Sequence, residues 1–218
     1  TSKANSSINT RCKITVAQPE GIAEALIINE IMPANVDVYL DPSFNYGSWV
    51  ELYNPTDMSI SLGGLYITDD PQNLKKNRLI NEYGILQAKG YALLNFDHHE
   101  IWKLASYRQI DDKLDCDGGV IIISDGKNIF ARQEYPAAIS RISYARTIDG
   151  GDVWGFTGNP SPGFSNETNG GFANKQLDAP YINKDAQVFE GNLQVIVNIP
   201  PNTTLRYTTD GTCPTLTN

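Results

Sequence analysis

The side chains with chemistry to offer fall into a few groups, and two carboxylates come first. Glu30 lies in Ile28-Asn29-Glu30-Ile31-Met32 and Glu51 in Trp49-Val50-Glu51-Leu52-Tyr53-Asn54-Pro55. Two carboxyls held close can divide acid and base roles or share a cation. The plainer reading is that each accepts hydrogen bonds from loop amides at a sheet margin. The two histidines are adjacent, in Asp97-His98-His99-Glu100. On an extended chain neighbouring side chains point to opposite faces, so these four cannot converge on one ion and read as a solvated loop. Asp111, Asp112, Asp115 and Asp117 crowd a short acidic stretch. Asp111, Asp115 and Asp117 are the calcium candidates, because that ion favours such oxygens. No Glu closes an EF-hand loop after them, so the expectation is weak calcium binding at most, against a solvated acidic turn.

Nucleophiles fare worse. Ser161 sits in Asn-Pro-Ser-Pro-Gly, not in the Gly-x-Ser-x-Gly of a nucleophile elbow, and Pro162 follows it. Cys116 stands between two aspartates, whose charge opposes a thiolate nucleophile. Cys12, Cys116 and Cys213 are too scattered for a zinc site. No phosphate-cradling Gly-x-x-x-x-Gly-Lys is present. The chain is expected to be no enzyme, with no catalytic and no cofactor-binding residues.

Short strands must carry these residues. Runs rich in Ile, Val, Tyr and Trp recur between Gly, Pro, Asn and Asp, and helical periodicity is nearly absent. The predicted strands are Ala25–Met32, Ser48–Tyr53, Leu65–Thr68, Tyr91–Phe96, Val120–Ser124, Asn128–Tyr135, Ile142–Ala145 and Val153–Thr157. Val120–Ile123 is apolar on both faces and reads as a central strand; a short helix is possible only near His99–Ala105. Val50 and Leu52 should share one face, Trp49, Glu51 and Tyr53 the other. The Asn- and Gly-rich stretch Asn166–Gln176 reads as a linker. Beyond it Leu193, Val195, Val197 and Ile199 predict a half-buried strand, and Leu205–Thr209 its return. Two or three strands make no stable sheet alone, so this last segment is expected to be an incomplete domain or to pack on the first.

Bulk properties narrow the partners. Of 218 residues 40% are hydrophobic and 19% charged, ordinary material for a folded core. Seventeen basic against twenty-five acidic residues give a net charge of −8, which disfavours nucleic acid. The densest basic cluster is Lys75-Lys76-Asn77-Arg78, which reads as a solvated turn. No apolar run has the length of a membrane span. The polar start, Thr-Ser-Lys-Ala-Asn-Ser-Ser, lacks the apolar stretch of a signal peptide.

Four phrases in order resemble the lamin tail domain: Ile28–Met32, Trp49–Pro55, Leu62-Gly63-Gly64-Leu65-Tyr66-Ile67-Thr68-Asp69 and Asn159-Pro160-Ser161-Pro162-Gly163-Phe164-Ser165-Asn166. The resemblance covers residues 25–166 and implies an immunoglobulin-like antiparallel β-sandwich, with Glu30 and Glu51 in a fold signature, not a catalytic one. Leu205-Arg206-Tyr207-Thr208-Thr209-Asp210-Gly211, with Pro214-Thr215, resembles the opening of the chitobiase/β-hexosaminidase C-terminal type of sandwich. The organisation expected is an N-terminal extension (1–24), an all-β lamin-tail-type sandwich (25–166), a linker (167–179) and a short, incomplete second β segment (180–218). The pairing implies a bacterial, extracytoplasmic (periplasmic, surface or secreted) multidomain protein with a further domain downstream. Its expected function is a non-catalytic interaction or spacer module, with a protein or glycan of the envelope as partner. The alternative is a carbohydrate-binding accessory module beside a hydrolase or spore-coat-kinase-like domain. For that, Tyr39, Phe44, Tyr46 and Trp102 would supply ring faces for sugars, unless they close the ends of the core.

Overall fold

The structure, a computed structural model, describes residues 21–42, 44–79, 84–97, 108–168, 171–173, 180–184, 188–212 and 214. The chain forms two compact units, Thr1–Phe172 and Ala173–Asn218.

The first unit is all-β. Its strands are β1 (Ile27–Met32), β2 (Ser48–Tyr53), β3 (Ile60–Ser61), β4 (Tyr66–Thr68), β5 (Asn77–Arg78) and β6 (Ile85–Leu86). They continue with β7 (Tyr91–Phe96), β8 (Gln109–Ile110), β9 (Gly119–Ser124), β10 (Ile129–Tyr135), β11 (Ser143–Arg146) and β12 (Trp154–Thr157). A six-stranded sheet runs β12-β11-β1-β2-β7-β8 and a four-stranded sheet β10-β9-β4-β5, with β3 and β6 paired apart. Among the described residues every strand pair is antiparallel but one: β8 lies parallel to β7.

The two larger sheets close on one core. Ile28, Ile31, Val50, Leu52 and Leu94 from one meet Ile67, Ile121, Ile123 and Tyr135 from the other. This is the β-sandwich solution for sheets that are each apolar on one face. Strand β9 lies inside its sheet, as its doubly apolar sequence predicts, and Ile121, Ile122 and Ile123 are fully buried. After β2, Asn54 turns the chain. Its buried carboxamide donates to the carbonyls of Met58 (2.8 Å) and Gln87 (3.0 Å), and its oxygen accepts from the Thr56 amide (3.0 Å).

In the second unit the described residues hold one two-stranded sheet, β13 (Tyr181–Ile182) with β14 (Val197–Asn198). Two expectations are corrected here. Leu205–Thr209 forms no strand, and the alternation over Leu193–Ile199 half-buries Leu193 and Val197 but leaves Val195, Ile196 and Ile199 exposed. A lone two-stranded sheet offers no second layer against which an apolar face could be buried. The helix considered near His99–Ala105 lies outside the described residues.

Candidate functional site

A bulge in β1 creates the site. Ile28 and Ile31 both enter the core although three positions apart, which strict alternation forbids. The register with β2 shifts between Ile28, opposite Leu52, and Glu30, opposite Glu51. Asn29 is therefore an extra residue, and it and Glu30 both face away from the sandwich core. Glu51 faces the same way, since Val50 and Leu52 on either side point inward. Three polar side chains thus share the outer face of the six-stranded sheet. They are nevertheless sealed: Asn29, Glu30 and Glu51 are each 0% exposed.

The seal is the segment after β12. Ser161 donates to Glu30 through its amide (3.2 Å), its hydroxyl lies 3.1 Å from Glu30 with its one proton shared between that carboxyl and Asn166, and Ser143 on β11 donates a further short hydrogen bond. The Gly163 amide donates to Glu51 Oε2 at 2.7 Å, and Asn29 Nδ2 donates to Oε1 at 3.0 Å. Gly163 has φ +86°, a left-handed conformation that glycine adopts without a Cβ penalty. Asn166 fastens the far end: Nδ2 donates to the carbonyls of Arg146 (2.8 Å) and Asn29 (3.2 Å), and Oδ1 accepts from Ser161 Oγ (2.9 Å).

A third carboxylate, Asp149, stands at the rim. It accepts from Asn29 Nδ2 at 2.9 Å, the Asn166 amide at 3.0 Å and the Tyr91 hydroxyl at 2.6 Å. One carboxamide, that of Asn29, thereby ties Glu51 to Asp149.

Environment divides the three acids. Burial pushes Glu30 up to about 7, against the opposing pull of hydrogen bonds from Ser143 and Ser161. Burial likewise carries Glu51 up to about 8, outweighing its bonds from Asn29 and Gly163, with the charge of Glu30 adding to the rise. Removing a carboxylate from water disfavours its charged form, and among the described residues no Lys or Arg pairs with either. For Asp149 partial burial also pushes upward, but donors from Ser165, Tyr91, Asn29 and the Asn166 amide win and hold it below its ordinary value. Chemically this is a closed hydrogen-bonded cluster, two acids tending to hold their protons and one remaining charged.

Glu30 and Glu51, paired in the sequence reading, are brought directly opposite each other. Ser161, set aside as a nucleophile, joins them as a donor. Asp149, Ser143 and Tyr91 escaped the sequence reading. Only Asp149, in Thr147-Ile148-Asp149-Gly150-Gly151, carried a signal, that of a turn ahead of a strand. Asn166, the last residue of the expected sandwich and the first of the Asn- and Gly-rich stretch, is 0% exposed and bound into the cluster.

The calcium candidates do not assemble. Among the described residues no three His, Cys, Asp or Glu side chains are grouped to hold a metal ion. Asp115 spends Oδ1 on the Asp117 amide at 2.9 Å, a local turn. Neighbouring Asp112 pairs with Lys76 at 2.7 Å and accepts from Asn77 at 2.9 Å, which also neutralises part of the basic cluster. His98, His99, Glu100, Trp102, Cys12 and Cys213 lie outside the described residues. Tyr39 packs edge-on against buried Trp49, whereas Phe44 is 82% and Tyr46 45% exposed. Among the described residues no helix is long and apolar enough to cross a membrane.

The first unit is an all-β sandwich with a sealed acidic cluster on its outer face. Comparison with protein-family models, curated proteins and solved structures finds no match to this chain.

Proposed function

We propose that this chain is a non-catalytic interaction or spacer module of a larger bacterial surface or secreted protein, working outside the cytoplasm against a protein or glycan of the envelope. One observation carries the reading: the acids best suited to chemistry, Glu30 and Glu51, are fully buried and held by donors from the chain itself. A catalytic carboxyl must reach the group it protonates or deprotonates. The lamin-tail resemblance agrees, since three of its four phrases supply Glu30, Glu51 and the Ser161–Asn166 segment that meet in this cluster. Pure protein is expected to turn over no generic ester, phosphate or glycoside substrate. Turnover that disappears in Glu51→Gln would refute the proposal.

A second reading, a carbohydrate-binding accessory module, is favoured by the 82% exposure of Phe44. That residue holds a left-handed φ of 63° in a loop fixed by Asp41, which accepts from the Asn45 amide at 2.9 Å. An aromatic held out on a fixed loop suits stacking on a sugar face. A glycan array should then give a signal that Phe44→Ala removes; a blank array eliminates this reading.

A further inference from the structure

Strand β12 ends the six-stranded sheet, and among the described residues no strand pairs with its outer side. Its register with β11 sets Trp154 opposite Arg146 and Phe156 opposite Tyr144. The Thr147 amide donates to the Val153 carbonyl at 2.8 Å, so Val153 turns its polar groups toward β11. Backbone groups alternate along a strand; Gly155 and Thr157 therefore also face β11, while the N–H and C=O of Trp154 and Phe156 face outward.

The other edges of the two larger sheets are better protected than this one. Strand β10 carries exposed Arg132 and Glu134, bridged at 2.8 Å, and β5 and β8 are two residues each. Strand β12, Trp-Gly-Phe-Thr, has four residues with neither charge nor proline. Charge, proline and brevity are the usual protections of an edge, and β12 has brevity alone.

We infer that β12 is a self-association edge, on which the strand of a second copy of this chain pairs antiparallel about a two-fold axis at Gly155. The register about Gly155 and the side chains argue for this occupant. With Gly155 opposite its own copy, Trp154 meets Phe156 of the second copy, and these are the residues whose backbone groups point outward. Each such pair exchanges two hydrogen bonds, and the two-fold doubles them. No like charges meet within the paired strands, since β12 has none. The side chains match as well. Phe156, Tyr144, Trp154 and Arg146 already follow one another in contact along the β11–β12 ribbon: Tyr144 tilted against Phe156 at 5.2 Å, stacked on Trp154 at 5.0 Å, and Arg146 over Trp154 at 4.8 Å. Pairing sets Trp154 beside Phe156 of the second copy and extends that row across the joint. This goes beyond the proposed function and does not rest on it.

So short a contact buries less than the ~1,600 Å² of a standard interface, so association belongs at roughly 10 µM to 1 mM. Sedimentation of the full chain over that range should show one-chain mass giving way to two-chain mass. Amide exchange should slow at Trp154 and Phe156 as concentration rises, and stay constant at Arg132 and Glu134. Phe156→Pro removes a donor that no intramolecular ladder bond uses, and is expected to weaken association about thirtyfold for the two bonds lost. A monomer at every concentration overturns the inference. So does a dimer in which the two amides exchange at unchanged rates, or protection that appears only with an added foreign peptide strand. The exchange experiment needs only the unaltered chain, so it decides the matter even where the proline variant does not fold.

Discussion

Replacing Glu30 by glutamine isolates one buried proton. Glu30 accepts from two serine hydroxyls and the Ser161 amide. A glutamine can keep its oxygen on the amide and turn its NH2 to a hydroxyl, which rotates to accept. Glu30→Gln should therefore fold and, in acid, match the parent closely. The difference comes with rising pH. Burial holds the folded carboxyl at about 7 against an ordinary 4.5. A group whose folded value is the higher binds its proton more tightly when folded. Its contribution is whole below the ordinary value and is lost as pH rises through the folded one, a decline on the order of 3 kcal/mol between about pH 5 and pH 8. Glutamine carries no such dependence. Glu30→Gln should thus overtake the parent as pH rises, by about 6–12 °C in melting temperature if the loss is complete. Thermal melts of both proteins at matched pH steps give that difference directly. Parallel curves, or a parent that gains on the variant toward alkaline pH, would refute the reasoning.

Other consequences are simpler to read. Asn54→Ala removes the buried carboxamide that ties the Met58, Leu86 and Gln87 carbonyls to the turn after β2 and should cost about 1–3 kcal/mol by urea unfolding. Asn166→Ala should cost ~2–4 kcal/mol and speed amide exchange at Ser161 and Gly163, because the covering segment loses its ties to Asn29 and Arg146. Millimolar calcium should release no heat and leave the melting temperature unchanged, as among the described residues no three His, Cys, Asp or Glu side chains group to hold a metal ion.

The sandwich was legible in the sequence because its strongest strands are apolar at period two or apolar throughout. Ser48–Tyr53 and Tyr91–Phe96 have the limits their residue runs predict, and Val120–Ser124 gains only Gly119. The two-residue strands β3, β5, β6 and β8 were illegible, since a pair of residues displays no period. The parallel placing of β8 depends on a crossover that local pattern does not encode. Glu30 and Glu51 were recognisable as a pair. Their concealment was not, because it depends on the bulge at Asn29 and on a segment more than a hundred residues away. The role of Asn166 was illegible for a definite reason: Asn before a Gly-rich run favours turns, yet a carboxamide with donors and an acceptor equally suits a buried junction. In the second unit the alternation was real, but among the described residues β14 pairs with β13 alone, and Val195, Ile196 and Ile199 stay exposed.

The most direct test is to follow the side-chain carboxyl carbons of Glu30 and Glu51 by NMR while titrating the folded protein. Titration of both well above the ordinary carboxylate range, near about 7 and 8, is the predicted result. Midpoints near about 4.5 for both would mean that water reaches the pair, and would contradict the sealed, structural cluster on which the non-catalytic reading stands.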